Sequence, residues 1–129
     1  MKKILLVDDD PLVMNFVSSL LSDAGYKVLC APNGEEAIRI SKYETGEIDL
    51  LLSDLEMPGI SGIELATCLC LERPALRVLL MSGFNGGMLV LNEGWHFLAK
   101  PFVQSQLKAL ILNILGDAPN FNALVKTKI

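Results

Sequence analysis

Short apolar runs alternate along the chain with segments of helical periodicity, and this alternation limits the fold more than any other feature. Five apolar runs predict strands at Lys3 to Val7, Tyr26 to Ala31, Ile48 to Ser53, Leu76 to Met81 and Trp95 to Ala99. Strands that are separated by helices need crossover connections, which produce a parallel sheet with helices on both faces. The pattern therefore predicts a doubly wound α/β domain.

Local signals mark where the predicted helices begin and end. Asp10 is suited to cap the first helix, Pro11 suits its first position, and Gly25 ends it. The apolar residues of this helix recur at helical spacing: Leu12, Val13, Phe16, Val17, Leu20 and Leu21. Later helices are predicted from Asn33-Gly34 onward, from Ser61 to Leu71 and from Gln104 to Leu115. Between the last two, only Met88 to Glu93 has helical character, so the fourth helix is predicted to be short.

Composition limits the classes of protein to which the chain belongs. Hydrophobic residues make up 51% of its 129 residues, enough for a core, and the net charge is −4. A mildly acidic domain is a poor partner for nucleic acid. We expect one domain over residues 1–116 and a loosely held tail over 117–129.

The apolar runs and the cysteines indicate a cytoplasmic protein with no membrane partner. Runs such as Val78 to Met81 are far shorter than the roughly 18 residues that a membrane span needs. The apolar stretch after Met1-Lys2-Lys3 is also too short for a signal peptide. The three cysteines are an odd number without metal-ligand spacing, which favours free thiols.

Charged and polar side chains follow four of the predicted strands. Asp8 and Asp9 follow the first strand, Asp54 the third, Ser82-Gly83 the fourth and Lys100-Pro101 the fifth. In doubly wound sheets the chemistry lies beyond the carboxyl ends of the strands, so these side chains are predicted to converge. We interpret Asp10 as a helix cap rather than a member of the site.

The predicted cluster needs a cation. Two like charges about 4 Å apart repel by roughly 4 kcal/mol at an effective dielectric of 20. Oxygen ligands suit a hard cation, and Mg²⁺ tolerates few protein ligands with added water. Asp8, Asp9 and Asp54 with one Mg²⁺ and Lys100 sum to zero charge, which suits a site that receives a phosphoryl group. Asp54 is the best candidate for a carboxylate nucleophile.

At four places the chain resembles the receiver domains of bacterial two-component response regulators. The residues that carry the resemblance are Ile4 to Asp9, Asp54 to Leu65, Met81-Ser82-Gly83 and Lys100-Pro101-Phe102. Each piece alone is a weak signal, but the four occur in the right order and each lies at a strand end. The resemblance covers residues 2 to about 115 and implies a flavodoxin-like topology with strand order 2-1-3-4-5.

The resemblance also implies roles for individual residues. Asp54 accepts the phosphoryl group from a phosphohistidine on a histidine kinase or histidine phosphotransfer protein. Mg²⁺ is bound by Asp9 directly, by Asp8 mainly through water, by Asp54 and by the backbone carbonyl of Glu56. The residues that bind the phosphoryl group or respond to it are Lys100, Ser82 and the switch aromatic Phe97. Those that shape the loops are Pro58, Gly59, Gly83 and Pro101, and the resemblance implies a cis Lys100–Pro101 bond.

One departure from the family concerns the output surface. Only 18 positions separate Ser82 from Lys100, a few fewer than is usual, and the shortfall falls on the fourth helix. Similar short versions resemble receivers attached to hybrid histidine kinases, so a receiver fragment of such a kinase is an alternative. Met88 to Leu91 and Leu112 predict an apolar surface for an unknown downstream protein or a homodimer.

Two other functions use a similar arrangement. A Mg²⁺-dependent phosphohydrolase with an aspartate nucleophile would use the Asp8-x-Asp10 spacing on the first strand, but Pro11-Leu12 follows where that class has Gly-Thr or similar. A flavodoxin-like FMN carrier needs a phosphate loop after the first strand, where three aspartates would repel phosphate. We therefore expect a signalling domain rather than an enzyme, with Mg²⁺-dependent self-phosphorylation and slow autodephosphorylation.

Overall fold

The computed structural model describes residues 1–83 and 94–116, which form five strands and four helices. The strands are β1 (Lys3–Val7), β2 (Lys27–Ala31), β3 (Leu50–Asp54), β4 (Arg77–Ser82) and β5 (His96–Ala99). The helices are α1 (Pro11–Asp23), α2 (Gly34–Tyr43), α3 (Gly62–Glu72) and α4 (Gln104–Leu115). The short helix predicted at 88–93 and the tail at 117–129 lie outside the described residues.

All paired strands are parallel, and the sheet order is β2-β1-β3-β4-β5, which confirms the predicted doubly wound fold. One apolar cluster lies between the sheet and helices α1 and α4, with Leu6, Leu21 and Ile111 among its buried members. A second lies on the opposite face under α2 and α3 and includes Leu5 and Leu69. Because strand side chains alternate between two covered faces, β1 and β3 are buried at nearly every position.

The predicted helix signals are confirmed where the structure describes them. The Asp10 side chain accepts a hydrogen bond from the Leu12 N–H at 2.9 Å, and Pro11 lies in the first turn of α1. Ser61 caps α3 in a reciprocal capping box with Glu64. Helices α1 and α3 therefore begin where their polar caps replace the missing intrahelical acceptors.

The apolar face of α1 is narrower than its sequence spacing indicates. Val17, Leu20 and Leu21 are buried, but Leu12 is 79% exposed and Phe16 is 48% exposed. At 100° per residue, Phe16 lies about 95° and Leu12 about 135° from the centre of the stripe formed by Val17, Leu20 and Leu21. These two apolar side chains lie on the surface rather than in the core.

The last helix has the stripe that its sequence predicts. Four of its apolar side chains are buried, Leu107, Ile111, Ile114 and Leu115, and Leu110 packs against them. Ala109 is exposed and Leu112 is half-buried. Gly116 ends the helix in the left-handed conformation, which glycine adopts without a steric cost.

The carboxyl ends of β3 and β4 each lie one residue further along the chain than the sequence predicts, and this positions the site. Asp54 is the last residue of β3 and pairs with Met81, and Ser82 is the last residue of β4 and pairs with Ala99. Their backbones are therefore fixed by the sheet rather than carried on loops.

Candidate functional site

Three carboxylates meet at the carboxyl ends of the two central strands β1 and β3. Val7 and Ser53 are paired in the sheet, so Asp8 and Asp54, which follow them, lie side by side. One carboxylate oxygen from each of Asp8, Asp9 and Asp54 lies within 4.8 Å of the others. Asp8 is 1% exposed and Asp54 9% exposed, whereas Asp9 is exposed to solvent. The cluster therefore has a buried floor and an open side.

Lys100 provides the positive charge at this cluster. Its Nζ lies 3.2 Å from Asp8 Oδ2 and 3.6 Å from Asp54 Oδ2. Its backbone N–H donates to the Ser82 carbonyl at 2.7 Å, which anchors the start of the loop after β5. The Lys100–Pro101 bond is cis, as predicted. The shorter distance to Asp8 was not predicted. The sequence indicates which residues meet, but not which of two carboxylates lies nearer to the ammonium.

The surroundings of Asp54 oppose its ionisation. Burial raises the pKa of the Asp54 carboxyl, and the negative charges of Asp8 and Asp9 act in the same direction. Lys100 and the backbone N–H of Glu56, 3.4 Å from Asp54 Oδ1, act against this rise in pKa without cancelling it. Among the described residues, the three carboxylates have one ammonium beside them, so this set carries an excess of two negative charges. That excess, with oxygen ligands only, fits a divalent hard cation such as Mg²⁺.

Ser82 is joined to this cluster through Glu56, a contact that the sequence does not predict. The buried Ser82 Oγ donates to Glu56 Oε1 at 3.1 Å. The motif indicated a backbone role for Glu56, and nothing in its spacing indicates where its side chain points. The role of its carbonyl as a metal ligand stays a prediction.

The loop from β3 to α3 is shaped by two glycines. Gly59 has φ of +80°, a conformation that side chains disfavour, and its role in shaping the loop stays a prediction. Gly62 was not predicted as a site residue. A Cβ there would lie 2.4 Å from the Asp54 carbonyl oxygen, so α3 begins in direct contact with the backbone of the candidate nucleophile. The sequence signal was a glycine directly after the capping Ser61.

The remaining predicted residues lie around the cluster. Phe97 is half-buried in β5, pairs with Leu80 and packs against the apolar cluster under α2 and α3. Pro58 is exposed in the loop after Asp54, and Gly83 is exposed after β4. The switch role of Phe97 and the loop roles of Pro58, Gly83 and Pro101 stay predictions.

Asp10 does not join the carboxylate cluster among the described residues. Its side chain caps α1, and the backbone N–H of Asp10 donates to Asp8 Oδ1 at 2.9 Å. An Asp-x-Asp phosphohydrolase would use both aspartates of that spacing at one site. The placement of Asp10 disfavours this alternative.

No helix within the described ranges is long and apolar enough to cross a membrane. The cysteines Cys30, Cys68 and Cys70 are free thiols, as their odd number and spacing predict.

Residues 4–112 match the family model of the response regulator receiver domain. The curated protein PhoP of Bacillus subtilis, an alkaline phosphatase synthesis transcriptional regulatory protein, is 31% identical over 88% of this chain and 48% of its own length. The response regulator-like protein APRR3 of Arabidopsis thaliana is 33% identical over 84% of this chain and 23% of its own length. The chain thus spans half or less of each of these relatives.

Solved structures show the same fold. The receiver domain of the hybrid histidine kinase CckA is 35% identical, with a TM-score of 0.78 over 88% of this chain and 98% of that chain. TrrA of Thermotoga maritima, crystallised with Mg²⁺-BeF, is 32% identical, with a TM-score of 0.77 over 88% of this chain and 99% of that chain. TrrA was also solved in complex with the histidine kinase ThkA, with a TM-score of 0.76 over 89% of this chain and 99% of that one.

Proposed function

Because the chain belongs to the response-regulator receiver family of two-component systems, we propose that Asp54 accepts a phosphoryl group from the phosphohistidine of a histidine kinase or histidine phosphotransfer protein. The observation that carries this proposal is the placement of Asp54, fixed at a strand end between two further carboxylates and 3.6 Å from an ammonium. Receiver domains are signalling domains, and the proposed output is a change of conformation rather than a released product.

The proposed transfer needs a nucleophile and a means to offset charge. One Asp54 carboxylate oxygen forms a bond to phosphorus as the bond between phosphorus and the donor imidazole nitrogen breaks. The electron pair of that bond stays on the imidazole, which takes a proton from solvent. Lys100 would hold the phosphoryl oxygens, because its Nζ already lies between Asp8 and Asp54.

Asp8, Asp9, Asp54 and the Glu56 carbonyl are the groups that we propose hold Mg²⁺. The close approach of three carboxylate oxygens supports this assignment. When bound, the cation would neutralise charge on the transferring phosphoryl oxygens. The similar protein TrrA was crystallised with Mg²⁺ and a beryllium fluoride, which supports the same cation here.

An apolar groove beside Lys100 is a suitable docking site for the phosphohistidine donor. It has a volume of about 540 Å³, opens next to Lys100-Pro101 and is lined by Leu12 and Phe16 on the exposed side of α1. Exposed apolar side chains next to a reactive group indicate a protein partner. The complex of TrrA with ThkA supports a histidine kinase as that partner.

There are two candidates for the kind of protein to which this receiver belongs, and two for the partner that receives its signal. The chain is either a free-standing receiver or the receiver of a hybrid histidine kinase, and the likeness to the CckA receiver supports the second alternative. For the output we retain the proposed surface that includes Leu112, for an unknown downstream protein or a homodimer. Its other half, Met88 to Leu91, lies outside the described residues.

Labelling by a small phosphodonor tests the acceptor directly. We expect acetyl phosphate to add one phosphoryl group to the wild type in the presence of Mg²⁺, and none after chelation by EDTA. Intact-mass spectrometry measures the addition. Asp54→Asn should abolish it. Asp10→Asn is the matched control, since asparagine also caps helices and Asp10 lies outside the cluster. Equal labelling of the wild type and Asp54→Asn would refute the assignment.

A further inference from the structure

Glu56 connects the ends of β3 and β4 through two hydrogen bonds. Its backbone N–H lies 3.4 Å from Asp54 Oδ1, and its side-chain Oε1 accepts the hydroxyl proton of Ser82 at 3.1 Å. Glu56 itself is exposed, whereas Ser82 is fully buried. An exposed side chain is therefore hydrogen-bonded to a buried hydroxyl at the site.

The backbone of Ser82 is held in place, so its hydroxyl moves only by rotation about χ1. The Ser82 carbonyl accepts from the Lys100 N–H at 2.7 Å, and Ser82 pairs with Ala99 in the sheet. The hydroxyl has three staggered positions about χ1, and one of them places it on Glu56 Oε1. A hydroxyl has one proton to donate, so donation to Glu56 competes with donation to any group that is attached at Asp54.

We propose that the Glu56 carboxylate acts as a latch on Ser82. Its hydrogen bond to the Ser82 hydroxyl stabilises the resting state and lowers the affinity of the site for a phosphoryl group. This inference rests on the proposed function of Asp54. When a phosphoryl group is attached, the Ser82 hydroxyl leaves Glu56 Oε1 and donates to a phosphoryl oxygen. The bond to Glu56 must break first, so it subtracts from the stability of the phosphorylated state. Glu56 acts through Ser82 and is a positioning residue.

The hydrogen bond rather than the charge of Glu56 carries this effect. Glu56 is exposed, so solvent and salt screen its repulsion of an incoming anion. A hydrogen bond between a buried hydroxyl and a partly solvated carboxylate corresponds to roughly a fivefold to tenfold change in an equilibrium constant. Removal of Glu56 should therefore matter only while Ser82 has its hydroxyl.

Glu35 provides the matched control. It lies beside the same loop, since a Cβ on Gly59 would lie 2.9 Å from Glu35 Oε2, and it is also exposed. Glu35→Ala removes the same charge next to the same loop without removing the bond to Ser82. Glu56→Gln is a second comparison, because its amide oxygen still accepts a hydrogen bond but carries no net charge.

The test is the affinity of the full chain for beryllofluoride with Mg²⁺, measured by the bound resonances in ¹⁹F NMR titrations. We expect Glu56→Ala to bind roughly fivefold to tenfold more tightly than the wild type, and Glu35→Ala to bind within about twofold of it. Glu56→Gln should fall between the wild type and Glu56→Ala. Circular dichroism melting of each variant checks that it is folded.

A double-mutant cycle distinguishes the latch from a general effect of charge. Ser82→Ala should weaken beryllofluoride binding, and in that background Glu56→Ala should change the affinity less than about twofold. An equal gain from Glu56→Ala in both backgrounds, or no gain in the wild-type background, would overturn the latch alone. If beryllofluoride does not bind the wild type, or binds Asp54→Asn equally well, both the proposed function and the latch fail.

Discussion

The two ends of the sheet both hold charged side chains in or near the core, but they differ in how well those charges are matched. At the amino end, Arg73 donates to Ser41 Oγ and to the carbonyls of Ser41, Glu44 and Gly46, all at 2.8 to 3.1 Å. Lys3 pairs there with the Glu44 carboxylate. At the carboxyl end, within residues 1–83 and 94–116, the ammonium of Lys100 lies at a cluster of three carboxylates.

This difference separates charges that hold the fold together from charges that serve a reaction. At the amino end Arg73, Lys3 and Glu44 each have a hydrogen-bond or ion-pair partner, which contributes to the stability of the fold. At the carboxyl end the repulsion is left in place, and the fold tolerates it because the central strands fix the backbone. Local conflicts of this kind are typical of functional sites.

The largest expected effect concerns the packing that supports the carboxyl end. Gly62→Ala should lower the free energy of unfolding by about 3 kcal/mol, because the new Cβ meets the Asp54 carbonyl oxygen at 2.4 Å and only a backbone shift relieves the contact. Urea denaturation measures the change. At Gly83 an added Cβ meets no atom of the described residues within 4 Å, so Gly83→Ala is the control and should leave stability nearly unchanged. Equal losses in the two variants would contradict this packing.

A substitution at the amino end of the sheet should have the next largest effect on the free energy of unfolding. Arg73→Ala should lower the free energy of unfolding by about 2 kcal/mol, since partly buried acceptors at the end of α2 lose their donor. Arg77→Ala is the matched control, because Arg77 is exposed at the same end of the sheet. Chemical denaturation of both variants compares them. If Arg77→Ala costs as much as Arg73→Ala, the network around Arg73 is not what stabilises this end.

The same substitution, aspartate to asparagine, should change the free energy of unfolding in opposite directions at the two ends. In Mg²⁺-free buffer, Asp54→Asn should raise the free energy of unfolding by about 1 kcal/mol, because it removes the desolvation cost of a buried carboxylate together with repulsion from Asp8 and Asp9, which outweigh the lost attraction to Lys100. Asp49→Asn should lower it by about 0.5 kcal/mol, because Asp49 Oδ2 accepts from the Lys3 N–H at 2.8 Å and a carboxylate is the stronger acceptor. Thermal and urea unfolding report both values. A loss of stability in Asp54→Asn would break the comparison.

The pH dependence of stability should also differ between the ends. Burial raises the pKa of Asp54, so its protonated form favours the folded state, and that stability is lost as the pH rises through the raised pKa. The hydrogen bond from Lys3 lowers the pKa of Glu44, so its contribution is present above the ordinary carboxyl range and lost as the pH falls.

Denaturation between about pH 3 and pH 7 tests these opposite slopes. Relative to the wild type in Mg²⁺-free buffer, Asp54→Asn should gain stability as the pH rises, and Glu44→Gln should lose it. Parallel curves for the two variants would show that the ends do not differ in this respect.

The sequence predicts the sheet and the set of residues at its carboxyl end because both follow from short-range patterns. Apolar runs, caps and glycines place each strand end, and parallel topology brings Asp8, Asp54, Ser82 and Lys100 together. The strand ends themselves were predicted one residue short at β3 and β4. The ladder extends to Asp54 and Ser82 because neighbouring strands supply partners that the sequence of one strand does not reveal.

Contacts between side chains that are distant in sequence could not be predicted. The bond from Ser82 to Glu56, the packing of Gly62 on Asp54 and the reach of Arg73 to Ser41 each depend on how two elements approach in space. The exposure of Leu12 and Phe16 has the same origin, since helical spacing gives a stripe but not the width that the sheet covers.

The measurement that tests the central claim most directly is the location of the phosphoryl group after transfer from a phosphohistidine donor. The protein is incubated with Mg²⁺ and a phosphorylated histidine kinase or histidine phosphotransfer protein, then reduced with borohydride, which converts an acyl phosphate of aspartate to homoserine. Tandem mass spectrometry of the peptides should place homoserine at position 54 alone, and only with Mg²⁺. Homoserine at Asp8 or Asp9, or phosphate recovered on a serine or histidine, would contradict the assignment of Asp54 as the acceptor.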